Sequence, residues 1–168
     1  MQEQPQDRDA AALAAALSRR SAWDAGRVAA FLHETRLPLR LATLDADGFP
    51  HVTSLWTLLA DGALWCCTQR SALVCRHLAR ESRVGFEYAV GDPPYRGVSG
   101  QGRAALADGD AAALLGRLAD RYLEDRDPGL RRWLLSRVAT EVIVRIEPLR
   151  LTSWDFGRRM SPAGGGAG

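Results

Sequence analysis

Cysteines and histidines are the side chains of this sequence that could act as nucleophiles, metal ligands or proton donors, and there are three of each. Cys66, Cys67 and Cys75 lack the C-x-x-C spacing of a zinc site or a redox dithiol. We therefore predict reduced, buried thiols, with a reactive thiol at Cys75 as the alternative. His51 lies beside a predicted turn, where a surface histidine and a proton donor are both open interpretations. His77 is expected to pack on a helix.

Motifs of hydrolytic and phosphate-transferring enzymes are absent from the sequence. It contains no Ser-His-Asp arrangement with its local signature, no H-E-x-x-H and no glycine-rich phosphate-binding loop. It also contains no lysine, so Schiff-base chemistry on a lysine is excluded. These absences leave the catalytic residues unassigned and predict no metal site.

The composition is that of an ordinary globular protein. Hydrophobic residues make up 46% of the 168 residues and charged residues 25%, and the net charge is only +2. The arginines are interspersed with acids rather than gathered into a stripe, so we expect no nucleic-acid partner. No apolar run approaches the ~20 residues of a membrane span, and the first ten residues are polar, unlike a signal peptide. We expect a cytoplasmic protein without a membrane partner.

Helical spacing and capping residues predict helices between and around the strands. Ser71 is the expected N-cap of the helix that follows the third strand. We expect an N-terminal helical extension (1–22), one domain (23–160) and a disordered tail (161–168). The predicted helices cover residues 8–20, 23–33, 72–80, 108–124 and 128–138.

Alternating and β-branched segments predict most of the remaining chain to be strands. Turns are expected at Asp45–Gly48, at Asp61–Gly62 and at residues 91–94. Glycines inside the fifth strand, such as Gly100 and Gly102, indicate a bulge or a close approach of another group. The fold class is therefore mainly β, a six-stranded antiparallel split or closed barrel with outer helices. The predicted strands cover residues 39–44, 50–58, 63–68, 83–90, 95–106 and 141–156.

Four segments carry a resemblance to a known family, and they occur in its order and spacing. They are 41–56 (LATLDADGFPHVTSLW), 66–78 (CCTQRSALVCRHL), 94–104 (PYRGVSGQGRA) and 146–156 (IEPLRLTSWDF). In these segments the chain is similar to the flavin-binding proteins of the pyridoxamine 5'-phosphate oxidase-like family. The resemblance implies an FMN-binding split barrel that forms a homodimer and holds FMN, or the deazaflavin coenzyme F-420, at the subunit interface.

The resemblance also implies which residues bind the cofactor. Arg40 matches a phosphate-binding arginine of the first strand, Cys67 and Thr68 match a pair that meets the flavin ring, and Trp154 matches an aromatic beside it. For Trp154 a core or interface position is the alternative, and for Arg40 and Arg70 a solvated surface position is. The implied cofactor-binding residues are Arg40, Leu41, Thr43, Cys67, Thr68, Arg70, Ser71, Arg76, Tyr95, Arg96 and Trp154.

The chain departs from the family pattern at the helix after the third strand. Leu73 and Val74 stand where typical members have a basic pair, and aliphatic side chains supply no partner for a phosphate dianion. Arg40 and Arg70, with the helix N-terminus near Ser71, are the expected substitutes.

Two functions from different classes follow from the resemblance. The first is a flavin- or deazaflavin-dependent oxidoreductase acting on a small organic substrate, in which the cofactor carries the hydride. The alternative is a non-catalytic or repurposed barrel that binds FMN, haem or another planar ligand without redox turnover. In either case we expect a two-fold dimer whose interface contains Trp56, Trp65 and Val98.

Overall fold

The computed structural model of the chain describes residues 4–124 and 126–160. The helices are α1 (Pro5–Ala14), α2 (Ala25–Glu34), α3 (Leu73–Leu78), α4 (Ala111–Leu123), α5 (Pro128–Ser136) and α6 (Gly157–Met160), with a 3-10 turn at Val138–Thr140. The strands are β1 (Leu39–Leu44), β2 (Pro50–Leu55), β3 (Thr57–Ala60), β4 (Ala63–Gln69), β5 (Arg83–Ala89), β6 (Arg96–Ala107) and β7 (Glu141–Asp155). The predicted tail at 161–168 lies outside the described residues.

One antiparallel sheet of seven strands organises the chain, in the order β2-β1-β5-β6-β7-β4-β3. Its two edge strands, β2 and β3, are consecutive in sequence, with only Trp56 between them. A flat sheet would hold its two edges far apart, so this sheet curls into a barrel whose edges meet at Trp56. The predicted mainly β fold, an antiparallel split barrel with outer helices, is confirmed.

The strand count is seven rather than six because the predicted second strand changes partner. Up to Leu55 the chain pairs with β1, and from Thr57 it pairs with β4. Tyr122 of α4 stabilises the bend between them. Its ring stacks on Trp56 with a centroid separation of 5.1 Å, and its hydroxyl accepts the Thr57 N–H at 3.2 Å. A change of partner leaves the alternating pattern intact, so the sequence could not reveal it.

The predicted hairpin turns both form. Asp45 opens the first, where its side-chain Oδ1 accepts the Phe49 N–H at 2.9 Å. In the second, Asp61 (φ 52°) and Gly62 (φ 71°) are both left-handed, the conformation of a two-residue type I′ turn. A bulge also interrupts the β6–β7 register at Gln101/Gly102, as the glycines of that strand predict.

The N-terminal helices cover the barrel on one side. Leu13 of α1 and Phe31 of α2 are both buried in the main core. α1 stops at Ala14, earlier than predicted, because the following residues turn to pair with β7. The Ser18 N–H donates to the Leu151 carbonyl at 2.8 Å, and the Leu151 N–H donates to the Ala16 carbonyl at 2.8 Å.

The cap of α3 differs from the prediction, and those of α4 and α5 are aspartates. Ser71 is not the N-cap of α3: the Ala72 N–H donates to the Gln69 carbonyl at 2.9 Å, and this turn moves the cap position to Ala72, which has no side-chain cap bond. Asp110 caps α4 and Asp127 caps α5 through their carboxylates. No helix among the described residues is long and apolar enough to cross a membrane.

The core corrects one part of the predicted dimer interface. Val98 faces the interior of its own barrel with no exposed surface, so it cannot contact a second chain. Trp56 and Trp65 are half-buried and pack on a smaller apolar cluster that includes Leu118 of α4. Both tryptophans are therefore partly covered within the chain, by the helix α4 inserted before β7.

Candidate functional site

A cavity of about 300 Å³ lies between the ends of β2 and β4 and the helices α4 and α5. Ser54 and Trp56 form one part of its strand side, and Cys67 and Thr68 form the other. We call this cavity the β4 pocket and these four residues its floor. The floor contains Cys67 and Thr68, the two residues that the family resemblance assigned to the flavin ring.

The opposite side of the β4 pocket, its roof, is formed by α5. Trp133, Leu134 and Arg137 line the cavity from this helix and its end. The Arg137 guanidinium lies 4.6 Å from the centre of the Trp133 ring, a cation–π distance. Trp133 is 52% exposed, and no residue of α5 is buried. The roof is therefore held by few contacts and presents an aromatic face and a cation to the cavity.

A hydrogen-bonded clamp fixes the end of β4 beside the cavity. The Gln69 amide donates to the Glu141 carboxylate, and its carbonyl oxygen accepts from the Thr140 hydroxyl. The Arg70 N–H donates to the Thr140 carbonyl at 2.8 Å. Gln69 and Glu141 also line the β4 pocket. These bonds fix the position of Cys67 and Thr68 where β4 pairs with the start of β7.

Cys67 is not a nucleophile in this environment. Burial, together with the neighbouring Glu141 carboxylate and Cys66, raises the pKa of the Cys67 thiol to about 12. The thiol is thus neutral near pH 7, and it donates a weak hydrogen bond to the Ala111 carbonyl at 3.8 Å. The Cys75 thiol is also buried, and this burial raises its pKa. All three cysteines are free thiols, and the alternative of a reactive Cys75 has no support.

Arg40 lies on the outer face of the barrel beside the β4 pocket. It is opposite Ser54 in the β1–β2 register, and Ser54 lines the pocket with Cys67 and Thr68. Its guanidinium forms an ion pair with Glu87 at 3.0 Å, and both side chains are about half exposed. Arg40 is therefore a cross-strand neighbour of a residue that lines the β4 pocket with Cys67 and Thr68.

Comparison with known proteins agrees with the fold described above. The model of the pyridoxamine 5'-phosphate oxidase family matches residues 25–151, more than half of the chain. The chain belongs to this family. No curated protein matches the chain.

Solved structures with the same fold align with most of the length of this chain. A conserved hypothetical protein of Mycobacterium tuberculosis, Rv2991, is 27% identical, with a TM-score of 0.68 over 90% of this chain and 97% of that one. An F420 reductase is 23% identical, with a TM-score of 0.59 over 72% and 93%. The haem storage protein HutZ of Vibrio cholerae is 17% identical, with a TM-score of 0.57 over 70% and 86%.

Two of the candidate residues on β1 have their side chains inside the barrel. Leu41 has no exposed surface. The Thr43 hydroxyl is fully buried and hydrogen-bonds the Nδ1 atom of His77 at 2.8 Å, which accounts for the predicted packing of His77. His51 is half-buried rather than on the surface, with its ring 5.4 Å from that of His77. Neither side chain is exposed to contact a bound ligand, and both residues are paired with β2 in the sheet.

The residues around α3 lie on different sides of that helix. Val74 is 3% exposed and belongs to the main core, whereas Leu73 is 43% exposed. Ser71 and Arg76 are exposed. Arg70 lines a separate depression of about 220 Å³ with Glu141, and the structure does not bring its side chain into the β4 pocket.

The remaining candidates lie together at the far end of β6 and β7. Trp154 is opposite Gly97 in the β6–β7 register, and its ring edge would come within 2.8 Å of a Cβ atom at Gly97. This contact requires glycine at that position. Arg96 pairs with Asp155 in the same register, and Tyr95 is 42% exposed. None of these three residues lines the β4 pocket.

Sequence reasoning assigned only Cys67 and Thr68 to this site, and the lining residues that it missed include Ser54, Trp133, Arg137 and Glu141. Trp133 and Arg137 are four residues apart, the spacing that places two side chains on one face of a helix. That spacing was the available signal. Ser54 gave none, because its role depends on the pairing of β1 with β2.

The β4 pocket fits the ring of a flavin-type cofactor better than it fits the phosphate. Its volume of about 300 Å³ is near the lower end of the range for small-molecule sites. Trp56 and Trp133 provide aromatic faces, and the Thr68 hydroxyl can both donate and accept hydrogen bonds. Val74 points into the core, so no cation at that position could reach a phosphate. The nearby cations are Arg40 and Arg137.

Proposed function

We propose that this protein is a flavin- or deazaflavin-dependent oxidoreductase that acts on a small organic substrate, with FMN or coenzyme F-420 as its cofactor. The observation that carries the proposal is the β4 pocket, where Cys67 and Thr68 meet two tryptophans in a family whose members bind flavins. A bound cofactor would supply the hydride chemistry. The protein supplies position, and no nucleophile of its own is needed.

Each part of the β4 pocket has a proposed role. Thr68 hydrogen-bonds a polar edge of the ring, and Trp56 forms an aromatic wall that Tyr122 keeps in place. Cys67 remains a neutral thiol beside the ring, because burial raises its pKa to about 12. Arg137 and Arg40 bind anionic groups of the cofactor or substrate that extend beyond the cavity.

A homodimer is part of the proposal. The outer face of β1, β5, β6 and β7 forms a shallow groove of about 730 Å³, whose floor contains the small residues Ala42 and Gly85. Val52, at 60% exposure, borders it. A second copy on this face would cover that apolar surface beside Arg40. It would also allow Tyr95, Arg96 and Trp154 of one subunit to complete the site of the other.

The rival function is binding of haem or another planar ligand without redox turnover, and the missing basic pair at Leu73 and Val74 favours it. The chemistry of the β4 pocket argues against haem. No histidine is among its lining residues, so the commonest protein ligand of haem iron is missing from the part of the pocket that the structure describes. We therefore keep the flavin as the first candidate.

Absorbance spectroscopy tests the proposal. The purified protein is titrated separately with FMN, with F-420 and with haemin, and each complex is then mixed with a nicotinamide or F-420 reductant. Saturable FMN or F-420 binding, followed by bleaching of its band and reoxidation by an added acceptor, supports the oxidoreductase. A Soret band with no flavin binding, or bound flavin that is never reduced, would give the function to the rival.

A further inference from the structure

A buried carboxylate lies on α1, outside the β4 pocket. Asp9 is 2% exposed and is, with Leu13, one of the two buried residues of this helix. One of its oxygens accepts the Gly62 N–H at 2.7 Å, and the other is 2.8 Å from Nε2 of His33. A buried carboxylate needs such donors to offset its lost hydration. The pair therefore fixes His33 with its proton on Nε2.

This arrangement leaves the other ring nitrogen of His33 without a protein partner among the described residues. The His33 side chain is 23% exposed, and it lines a cavity of about 740 Å³ between α1, α2, β3 and α4. When the ring is neutral, Nδ1 is an acceptor. When the ring is protonated, Nδ1 becomes a second donor, on a side chain that lines a cavity large enough for a small molecule.

Arginines of α4 line the same cavity. Both terminal nitrogens of Arg121 are committed: they donate to the carbonyls of Leu32, His33 and Thr35 at 2.6 to 2.8 Å. Arg117 is one turn earlier on the same face of α4, is exposed, and forms no ion pair or hydrogen bond with any described residue. A guanidinium fork with free donors is suited to the two oxygens of a carboxylate or phosphate.

We propose that this cavity binds a small oxyanion, a carboxylate or phosphate group, through Arg117 and the protonated ring of His33. The site shares no lining residue with the β4 pocket and does not depend on the proposed cofactor. The other charged groups that line it are Arg8, Arg121, Asp9 and Asp61. Both oxygens of the buried Asp9 carboxylate are already hydrogen-bonded, so Asp61 at the surface is the carboxylate that competes with the ligand.

A purely structural role for Asp9 and His33 would explain only part of these observations. The pair attaches α1 to the β3–β4 turn and to α2, and it would do so whether or not the cavity is occupied. That role gives no reason for Nδ1 of His33 and the Arg117 guanidinium to line one cavity. The experiment must therefore perturb Arg117, which contributes nothing to the attachment.

Sulfate and acetate are the probes, because each keeps its charge between pH 6 and pH 8. Binding to the full-length protein is followed by NMR from the ring resonances of His33, assigned with His33→Gln, at constant ionic strength. We expect a saturable shift that is stronger at pH 6 than at pH 8. The probe that binds more tightly identifies the group as phosphate-like or carboxylate.

Arg117→Gln should weaken binding about tenfold to a hundredfold, the effect of one charge-assisted contact. The matched control is Arg132→Gln, an exposed arginine of α5 with no described partner, which should leave binding unchanged. Equal affinities for the two variants would overturn the proposal. So would shifts that never saturate or that spread over exposed arginines, which would mean an adventitious ion only.

Discussion

The floor and the roof of the β4 pocket are built from elements that differ in how firmly they are held. Behind the floor, the side chains of Leu64 and Cys66 on β4 are buried in the core, and β4 is paired on both sides. The roof helix α5 has no buried residue. Elements with few buried contacts open at low free-energy cost. The floor is therefore suited to positioning a ring, and the roof to admitting a ligand and selecting it.

The largest expected effect tests whether α3 belongs to the packed framework or to the ligand site. Val74→Lys should destabilise the fold by about 3 kcal/mol or more, because it places an unpaired charge in the core. Leu73→Arg, on the exposed side of the same helix, should change stability by less than about 0.5 kcal/mol. Urea unfolding followed by circular dichroism measures both. A stable Val74→Lys variant with higher FMN affinity would show that α3 faces the ligand.

The second largest effect on stability is expected for a substitution in the floor of the β4 pocket. Trp56→Ala should cost about 2 kcal/mol, because it removes a half-buried indole and its stacking on Tyr122 at the point of barrel closure. Thermal unfolding gives the change in free energy. A variant as stable as the wild type would mean that Tyr122 and the strand ladder alone hold the closure, and the contrast between floor and roof would lose its basis.

Substitutions of Arg40 and Arg70 are expected to change ligand affinity rather than stability. Arg40→Ala should weaken FMN binding about tenfold to a hundredfold if this arginine holds the phosphate. Loss of its exposed ion pair with Glu87 should cost less than about 1 kcal/mol of stability. Arg70→Ala should weaken binding less, because Arg70 lines a different depression. Fluorescence titration of FMN decides, and a larger loss for Arg70→Ala would reverse our assignment.

Alkaline pH should loosen the core behind the floor. Burial raises the pKa of Cys66 from 9.0 to about 12, so between these values the unfolded chain has lost the proton and the folded chain retains it. Stability then falls as pH rises, by about 1.4 kcal/mol for each unit above pH 9. Urea unfolding at pH 8 and pH 10 measures the loss, with Cys66→Ala as the control that should abolish this component. An unchanged slope in the control would assign the loss to other groups.

The smallest stability effect is expected for the roof. Trp133→Ala should change the free energy of unfolding by less than about 0.5 kcal/mol, because the side chain is half exposed on a helix with no buried residue. The same variant should weaken cofactor binding about tenfold through the lost aromatic contact. Phe49→Ala, another exposed aromatic, is the matched control for affinity. Strong destabilisation by Trp133→Ala would make the roof a structural element.

Sequence patterns predicted the framework better than the site. Alternation and turn residues are local signals, and they correctly indicated the strands, the Asp61–Gly62 hairpin and the bulge near Gly102. The bend at Trp56 depends on Tyr122, which is more than sixty residues away, so no local pattern could contain it. Ser71 failed as a cap because the Gln69 carbonyl forms a competing turn.

Prediction of the candidate site was limited for the same reason. Cys67 and Thr68 were found because they lie in a segment that resembles a family motif. Ser54 and Arg137 reach the same cavity only through strand pairing and the packing of α5. Residues such as Trp154, far from the β4 pocket in one chain, could join it only across a dimer, which a single sequence does not specify.

The central claim is that the floor of the β4 pocket binds the ring of a flavin-type cofactor, and a crystal structure of the FMN or F-420 complex tests it most directly. The account predicts ring density against Trp56, Cys67 and Thr68, with anionic groups of the cofactor directed toward Arg40 or Arg137. Ring density elsewhere on the barrel, with the β4 pocket filled by water alone, would contradict it.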